Sequence, residues 1–279
     1  AVIWQVRLPR ILLALLVGAA LSVSGAGLQQ LCRNPLVSPH IMGVSAGACF
    51  GAALSVILWG GGYGTLQISA LVFGCVAVAI TYSLSRLRGG SSTVSLVLAG
   101  IIVSACFAAL LFMAYLLADP DKVAQVVYWS MGSLHAASWS DVVKCLPGIG
   151  VGTAVLYAFR WRLGVLSLGE EAKTLGVAYE WEKVILLACT TLVTAFAVSV
   201  AGTVAWVGLV VPHLVRLMLG ADTRALIPAS ITFGAAFVLV ADTLARTVYT
   251  YDLPVGILTT LIGAPFFLYL LRRSEAAWA

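Results

Sequence analysis

Residues 11–31 read ILLALLVGAALSVSGAGLQQL without one charged side chain, and six further runs, 41–58, 66–85, 93–117, 184–201, 225–241 and 255–271, are equally uncharged. A helix rises about 1.5 Å per residue, so roughly 18–20 apolar residues cross the hydrocarbon of a bilayer. Seven such runs in one chain exclude a water-soluble fold. Shorter candidates at 145–159 and 206–219 bring the expectation to about nine spans. The chain is 61% hydrophobic and 10% charged, with mean hydropathy +1.05, well above a soluble domain. The expected fold is therefore an all-α integral membrane protein, a polytopic bundle formed by one domain over 1–279.

The charges follow the same logic. Arg7 and Arg10 before a run that reaches SVSGA imitate a secretory signal, but the run extends to about 21 residues and suits a full span. If the C-terminus is cytoplasmic and each run crosses once, the cytoplasmic side holds Arg33, Arg86, Arg88, Arg160, Arg162, Lys173, Lys183, Arg216, Arg224, Arg272 and Arg273. The outer side then holds Arg7, Arg10, Lys122, Lys144 and Arg246. Eleven of the 16 basic residues against five obeys the positive-inside rule, so the net charge of +5 is no nucleic-acid footprint.

Motifs for chemistry are absent. The six cysteines stand singly, mostly within apolar runs, and read as small buried hydrophobes rather than metal ligands or disulfides. No G-x-x-x-x-G-K-[ST], H-E-x-x-H or G-x-S-x-G occurs. Ion-coupled carriers keep ionisable residues inside the membrane, and the helix interiors here are nearly clean. Asp242 is the exception, and Arg246 four residues later is its expected local partner. Any energy source has to come from another polypeptide.

Small residues at four-residue spacing, Gly43/Gly47/Gly51 and Gly18/Ser22/Ala26, permit close helix approach and offer a wall for a wide pathway. SPHIMG (38–43) and VPHLVRLMLG (211–220) each put Pro and His at an expected helix start. The segment 118–144, with Tyr128, Trp129 and Trp139, reads as interfacial; His135 has no carboxylate or cysteine spaced to join it. Against this background LSLGEEAKTLG (166–176) is an anomaly, a short polar segment between long apolar runs on the expected cytoplasmic side.

WQVRLPRILLALLVGAALSVSGAGLQQLCRNPLVSPHIMGVSAGA (4–48), LVLAG (96–100), YWSMGSL (128–134), LGEEAKTLGV (168–177), AGTVAWVGLVVPHLVRLMLGADTR (201–224), LVADTLART (239–247) and LPVGILTTLIGAPFFLYLL (253–271) together resemble the FecCD-type permeases. These are transmembrane subunits of type II ABC importers for siderophores, haem, cobalamin and related chelates. The resemblance implies a ten-helix fold of which this sequence starts at the second helix. It also implies a homodimer or close heterodimer with a path along its axis, two cytoplasmic ATPase subunits that bind ATP and magnesium, and one substrate-binding protein. This chain itself is expected to bind no cofactor, to be no enzyme and to lie in a bacterial or archaeal inner membrane.

By that resemblance the loop 162–183 is the coupling element. EEAKTLG is similar to the importer E-A-A-x-x-x-G pattern with Glu171 in place of the first alanine. Leu168 and Leu175 are apolar anchors for a groove on the ATPase, Ala172 belongs to the same coupling segment, Glu170, Glu171 and Lys173 lie at the wet rim, and Gly169 and Gly176 let the chain turn. Arg7, Arg10 and Arg246 match docking positions for acidic residues of the binding protein. Ser92, Thr93 and Val94 match a cytoplasmic gate. Helices 11–31 and 93–117 are expected to line the dimer axis, with Gly43, Gly47 and Gly51 as pathway or packing residues. The cargo expected first is an iron–siderophore or haem, with cobalamin or molybdate as other family cargoes. A gradient-driven transporter or channel is the alternative, and an intramembrane enzyme finds no catalytic constellation.

Overall fold

The computed structural model describes residues 2–87, 93–248 and 252–274, and among them there are helices and turns but no strand. After a π-helical turn at Ile3–Arg7 come α1 (Leu8–Leu31), α2 (Val44–Trp59), α3 (Tyr63–Ser85), α4 (Thr93–Leu117), α5 (Pro120–Ser130), α6 (Trp139–Ala158), α7 (Arg160–Leu166), α8 (Tyr179–Ala201), α9 (Val207–Leu219), α10 (Thr223–Thr247) and α11 (Val255–Ser274). Six helical segments, Ile3–Leu31 and α3, α4, α6, α8 and α10, are long and apolar enough to cross a membrane, and α2, α9 and α11 add shorter apolar helices. These nine coincide with the nine apolar runs. Alternating direction puts Arg10, the α5 region and Asp252 at one end of the bundle, and Arg33, α7 and Arg224 at the other.

The bundle is built around α1. Leu13, Ala14, Val17, Ala20, Val23 and Ala26 are all fully buried. A Cβ on Gly18 would fall 2.1 Å from the Gly234 carbonyl oxygen of α10, and one on Gly25 would fall 1.8 Å from that of Gly208 in α9. No side chain separates these backbones. Between apolar helices in an apolar solvent, such close van der Waals packing is the available adhesive. The Gly18/Ser22/Ala26 stripe is therefore spent on packing within one subunit. It corrects the expectation that 11–31 lines a dimer axis: a helix enclosed by α6, α8, α9 and α10 has no face left for one. By contrast α4 keeps Val94, Leu98, Ile101, Ile102, Phe112 and Leu116 exposed.

Two turns interrupt the simple up-and-down pattern. Pro39–Met42 forms a 3-10 turn, and Gly43 follows at φ +87°, a left-handed conformation that lets the chain enter α2. Its glycine is there for backbone geometry, and it stands ahead of the helix instead of on the Gly47/Gly51 face. Gly47 and Gly51 lie in α2, where a Cβ would come within 2.4 Å of the Phe73 and Ser69 carbonyl oxygens of α3. The turn is held by Thr81, which donates to the Met42 carbonyl at 3.1 Å, and by Gly100, whose missing side chain admits the Ile41 carbonyl. His40 bonds Ser45 and lies 3.2 Å from the Val204 carbonyl oxygen, joining this turn to the one between α8 and α9. Pro212 does not start α9, as its motif implied. It sits inside the helix, which begins five residues earlier behind Trp206 at φ +70°.

Candidate functional site

The polar island is a pair of short helices. α7 ends at Leu166, and a 3-10 helix spans Gly169–Leu175. Gly169 at φ +70° and Gly176 at φ +75° bracket it, the sharp turns expected of both glycines. Leu163, Leu166 and Ala172 are buried and seat the pair against the bundle. Leu168 and Leu175 point outward at 43% and 62% exposure, and Glu171 is exposed beside them. Two apolar knobs raised from a polar loop give this segment the shape of a handle and an exposed apolar patch of the kind that protein partners cover. Of Glu170 and Lys173 only the backbone is described. The loop's exit is tied down by Glu182, a buried carboxylate that accepts from Arg162. The guanidinium of Arg33, just beyond α1, lies against Gly169, 2.4 Å from where a Cβ would stand. Four of the bundle's helices touch this handle directly, α1, α6 and α10 against α7 and α8 against the 3-10 helix.

The opposite end is a closed ionic network. Arg10 donates through Nε and Nη2 to the Asp242 carboxylate at 2.9–3.0 Å and through Nη1 to Asp252 at 3.0 Å. His135 Nδ1 lies 2.7 Å from the same Asp252 oxygen. Arg10 and Asp242 side chains are only 12% and 2% exposed. The pairing corrects three expectations. Asp242 is neutralised by Arg10, 232 positions away, rather than by Arg246 on its own helix. Arg10 has its charge consumed inside the subunit and is not free for a partner. His135 does meet a carboxylate, one that local spacing could not reveal. Asp252, outside the spans, has its carboxyl held below the usual carboxylate range by the His135 and Arg10 hydrogen bonds, against a smaller opposing effect of burial.

Arg7 is fully at the surface and Arg246 half-buried, with its Nε enclosed and unpartnered among the described residues. Gly132 at φ +75° packs on the Thr203 carbonyl, and its own carbonyl accepts from Gly256 at 3.3 Å. These bonds join the α5–α6 loop, the α8–α9 turn and the start of α11. Of the gate residues, Ser92 lies outside the described residues. Thr93 opens α4, half-buried, and Val94 is exposed.

The described residues thus form a multi-pass helical bundle of the membrane-protein class, with a pair of short helices at one end. The chain belongs to the FecCD transport family, whose model matches residues 1–273. It is 40% identical over 98% of its length, and 83% of the relative's, to a probable iron chelatin transport system permease protein of Helicobacter pylori. It is 44% identical to the cobalamin import system permease of Halobacterium salinarum, over 98% of this chain and 74% of that one. Among solved structures, an inward-facing metal-chelate-type ABC transporter superposes with a TM-score of 0.91 at 38% identity, covering 98% of this chain and 87% of the other. It is a fold of ABC importer permeases.

Proposed function

We propose that this chain is the permease subunit of a binding-protein-dependent, ATP-driven importer of metal chelates, working as a dimer with two ATPase subunits that bind ATP and magnesium. The observation that carries the reading is the handle. Leu168 and Leu175 protrude where a soluble domain can close on them, while Ala172, Leu163 and Leu166 anchor the same segment in the bundle. A push on the handle would reach α1, α8 and α10 through these contacts and bias the bundle between two packings. That end is the cytoplasmic one in this reading, in line with its excess of Arg and Lys.

At the other end Arg7 and Arg246 are the docking charges for acidic residues of a binding protein, and Arg10 is the internal brace behind them. Thr93 and Val94, at the foot of the exposed α4, gate the path across the two-fold axis. Small side chains there can part without breaking strong bonds. The cargo is a metal chelate, with iron–siderophore or haem first, in keeping with relatives that carry iron chelates and cobalamin. Charge reversal of Glu170 and Glu171 together is expected to abolish transport-coupled ATP hydrolysis while the membrane dimer stays intact. Normal coupling in that variant would overturn the assignment. The ligand retained by the partner binding protein, measured by mass spectrometry, identifies the cargo.

A further inference from the structure

The end of the bundle that bears Arg33 contains a cavity of about 260 Å³ between the C-terminus of α1, the following turn and α9, lined by Gln30, Arg33, Asn34, His213 and Arg216. Its polar lining consists of two arginines, a histidine and amide side chains. Gln29, in the same wall, is already engaged: its Oε1 accepts from Arg216 Nη2 at 2.9 Å, and its amide faces the Gly208 and Leu209 carbonyls. The Asn34 side-chain oxygen accepts from the Leu36 amide at 2.9 Å, which leaves its amino group to donate. Arg216 Nη1 and His213 Nδ1 are buried and unpartnered among the described residues. Among the described residues no carboxylate lines the cavity, and neither Arg33 nor Arg216 forms an ion pair.

Arg10, at the other end, shows how this chain treats a buried guanidinium whose charge the fold itself must balance. Two carboxylates receive three of its nitrogens. Arg216 departs from that rule. A plain positive-inside anchor would extend its head into water, as long basic side chains do at membrane boundaries. Here one arm is instead bound inward by Gln29 and the other is enclosed in the cavity wall. Arg216, half-buried and unneutralised among the described residues, carries a desolvation cost, and the exposed Arg33 beside the same cavity adds a second positive charge that an anion would offset.

We propose that this cavity is a binding site for a phosphate group, held by Arg33 and Arg216 with Asn34 and Gln30 as neutral donors. The guanidinium fork matches phosphate oxygens bidentately. Both arginines stand at helix C-termini, at the level where lipid headgroups meet water, so the phosphate comes either from an anionic lipid headgroup or from solution. Arg33 also lies over Gly169. An occupied site therefore braces the handle against α1 and α9, a role independent of which chelate is carried.

The test uses the permease purified with its ATPase partner. Thermal unfolding is followed as inorganic phosphate replaces chloride at matched ionic strength. Native mass spectrometry then follows phosphatidylglycerol retained from nanodiscs of phosphatidylcholine with and without that lipid. Saturable binding in one or both arms is expected, and it weakens about tenfold or more in R33Q and in R33Q/R216Q, the loss typical of a charge-assisted bond. Lys144→Gln, at the other end, leaves it unchanged. Retained lipid with no effect of phosphate assigns a headgroup, and the reverse a free anion. Arg33 is exposed, so R33Q alone decides the matter if the double variant does not fold. No saturable binding in either arm, or binding equal in wild type and R33Q, overturns the proposal.

Discussion

The two ends of this bundle solve opposite problems. At the Arg10 end, residues from 10, 135, 242 and 252 converge on shared oxygens, and backbone bonds join three connections. At the other end, the 3-10 helix is held by a few apolar contacts beneath it and by Arg162–Glu182 at its exit. One end is fixed by long-range charge and the other is left graspable. The proposed function requires that asymmetry, because a handle bonded as tightly as the Arg10 brace would resist an ATPase that moves it.

The comparison breaks most severely if the brace is cut. Asp242→Ala takes from a largely buried guanidinium the carboxylate that receives two of its nitrogens and leaves it only the more exposed Asp252, and the expected cost is up to about 3–5 kcal/mol, read as a loss of melting temperature in detergent. Arg10→Met combined with Asp242→Leu removes both charges and should recover much of it. A single variant with wild-type stability would show that the network is decoration. At the handle, Leu175→Asp is expected to leave melting unchanged within about 0.5 kcal/mol, as exposed substitutions do, yet to uncouple ATP hydrolysis from transport. Loss of folding instead would erase the distinction between the ends.

A weaker effect is expected of Arg7→Glu. Docking of the binding protein should fall several-fold and lose part of its salt dependence, measured by surface plasmon resonance at two ionic strengths. Affinity indifferent to both would reduce Arg7 to a lipid anchor. The smallest effect concerns Asp252. Its folded pKa lies below the unfolded value of about 3.9, so its stabilisation is complete at neutral pH. It is lost only as pH falls from about 4 through the folded value. Asp252→Asn should flatten the acid limb of the melting curve below pH 4 and leave the neutral limb's slope alone; an unchanged acid limb would remove Asp252 from the network.

Much of this was legible in the sequence because the bilayer imposes length. The nine apolar runs became nine apolar helices, and the polar island could only be a loop outside the hydrocarbon. Gly169 and Gly176 declared their turns by residue type. What stayed hidden were choices between equally apolar surfaces. α1 and α4 are both uniformly hydrophobic, and nothing in their periodicity says that α1 is enclosed while α4 is open. A membrane helix has no polar face to mark its outside. Gly43 misled because spacing alone does not separate a helical glycine from one at φ +87°. Asp242 stands out as a lone acid, but its partner stands at position 10, and pairing over that separation leaves no local trace. His135 and Asp252 were missed for the same reason.

The glycine contacts along α1 have a mechanical consequence. Where Gly18 meets Gly234 and Gly25 meets Gly208, two backbones touch with no layer of side chains between them to deform or change rotamer. Such a seam is nearly incompressible and cannot slide by a fraction of a turn without collision. Helices α1, α9 and α10 must therefore travel as a single stiff body. The compliance that any working stroke requires has to be found at cushioned joints, such as the one where Phe107 of α4 meets Phe50 of α2.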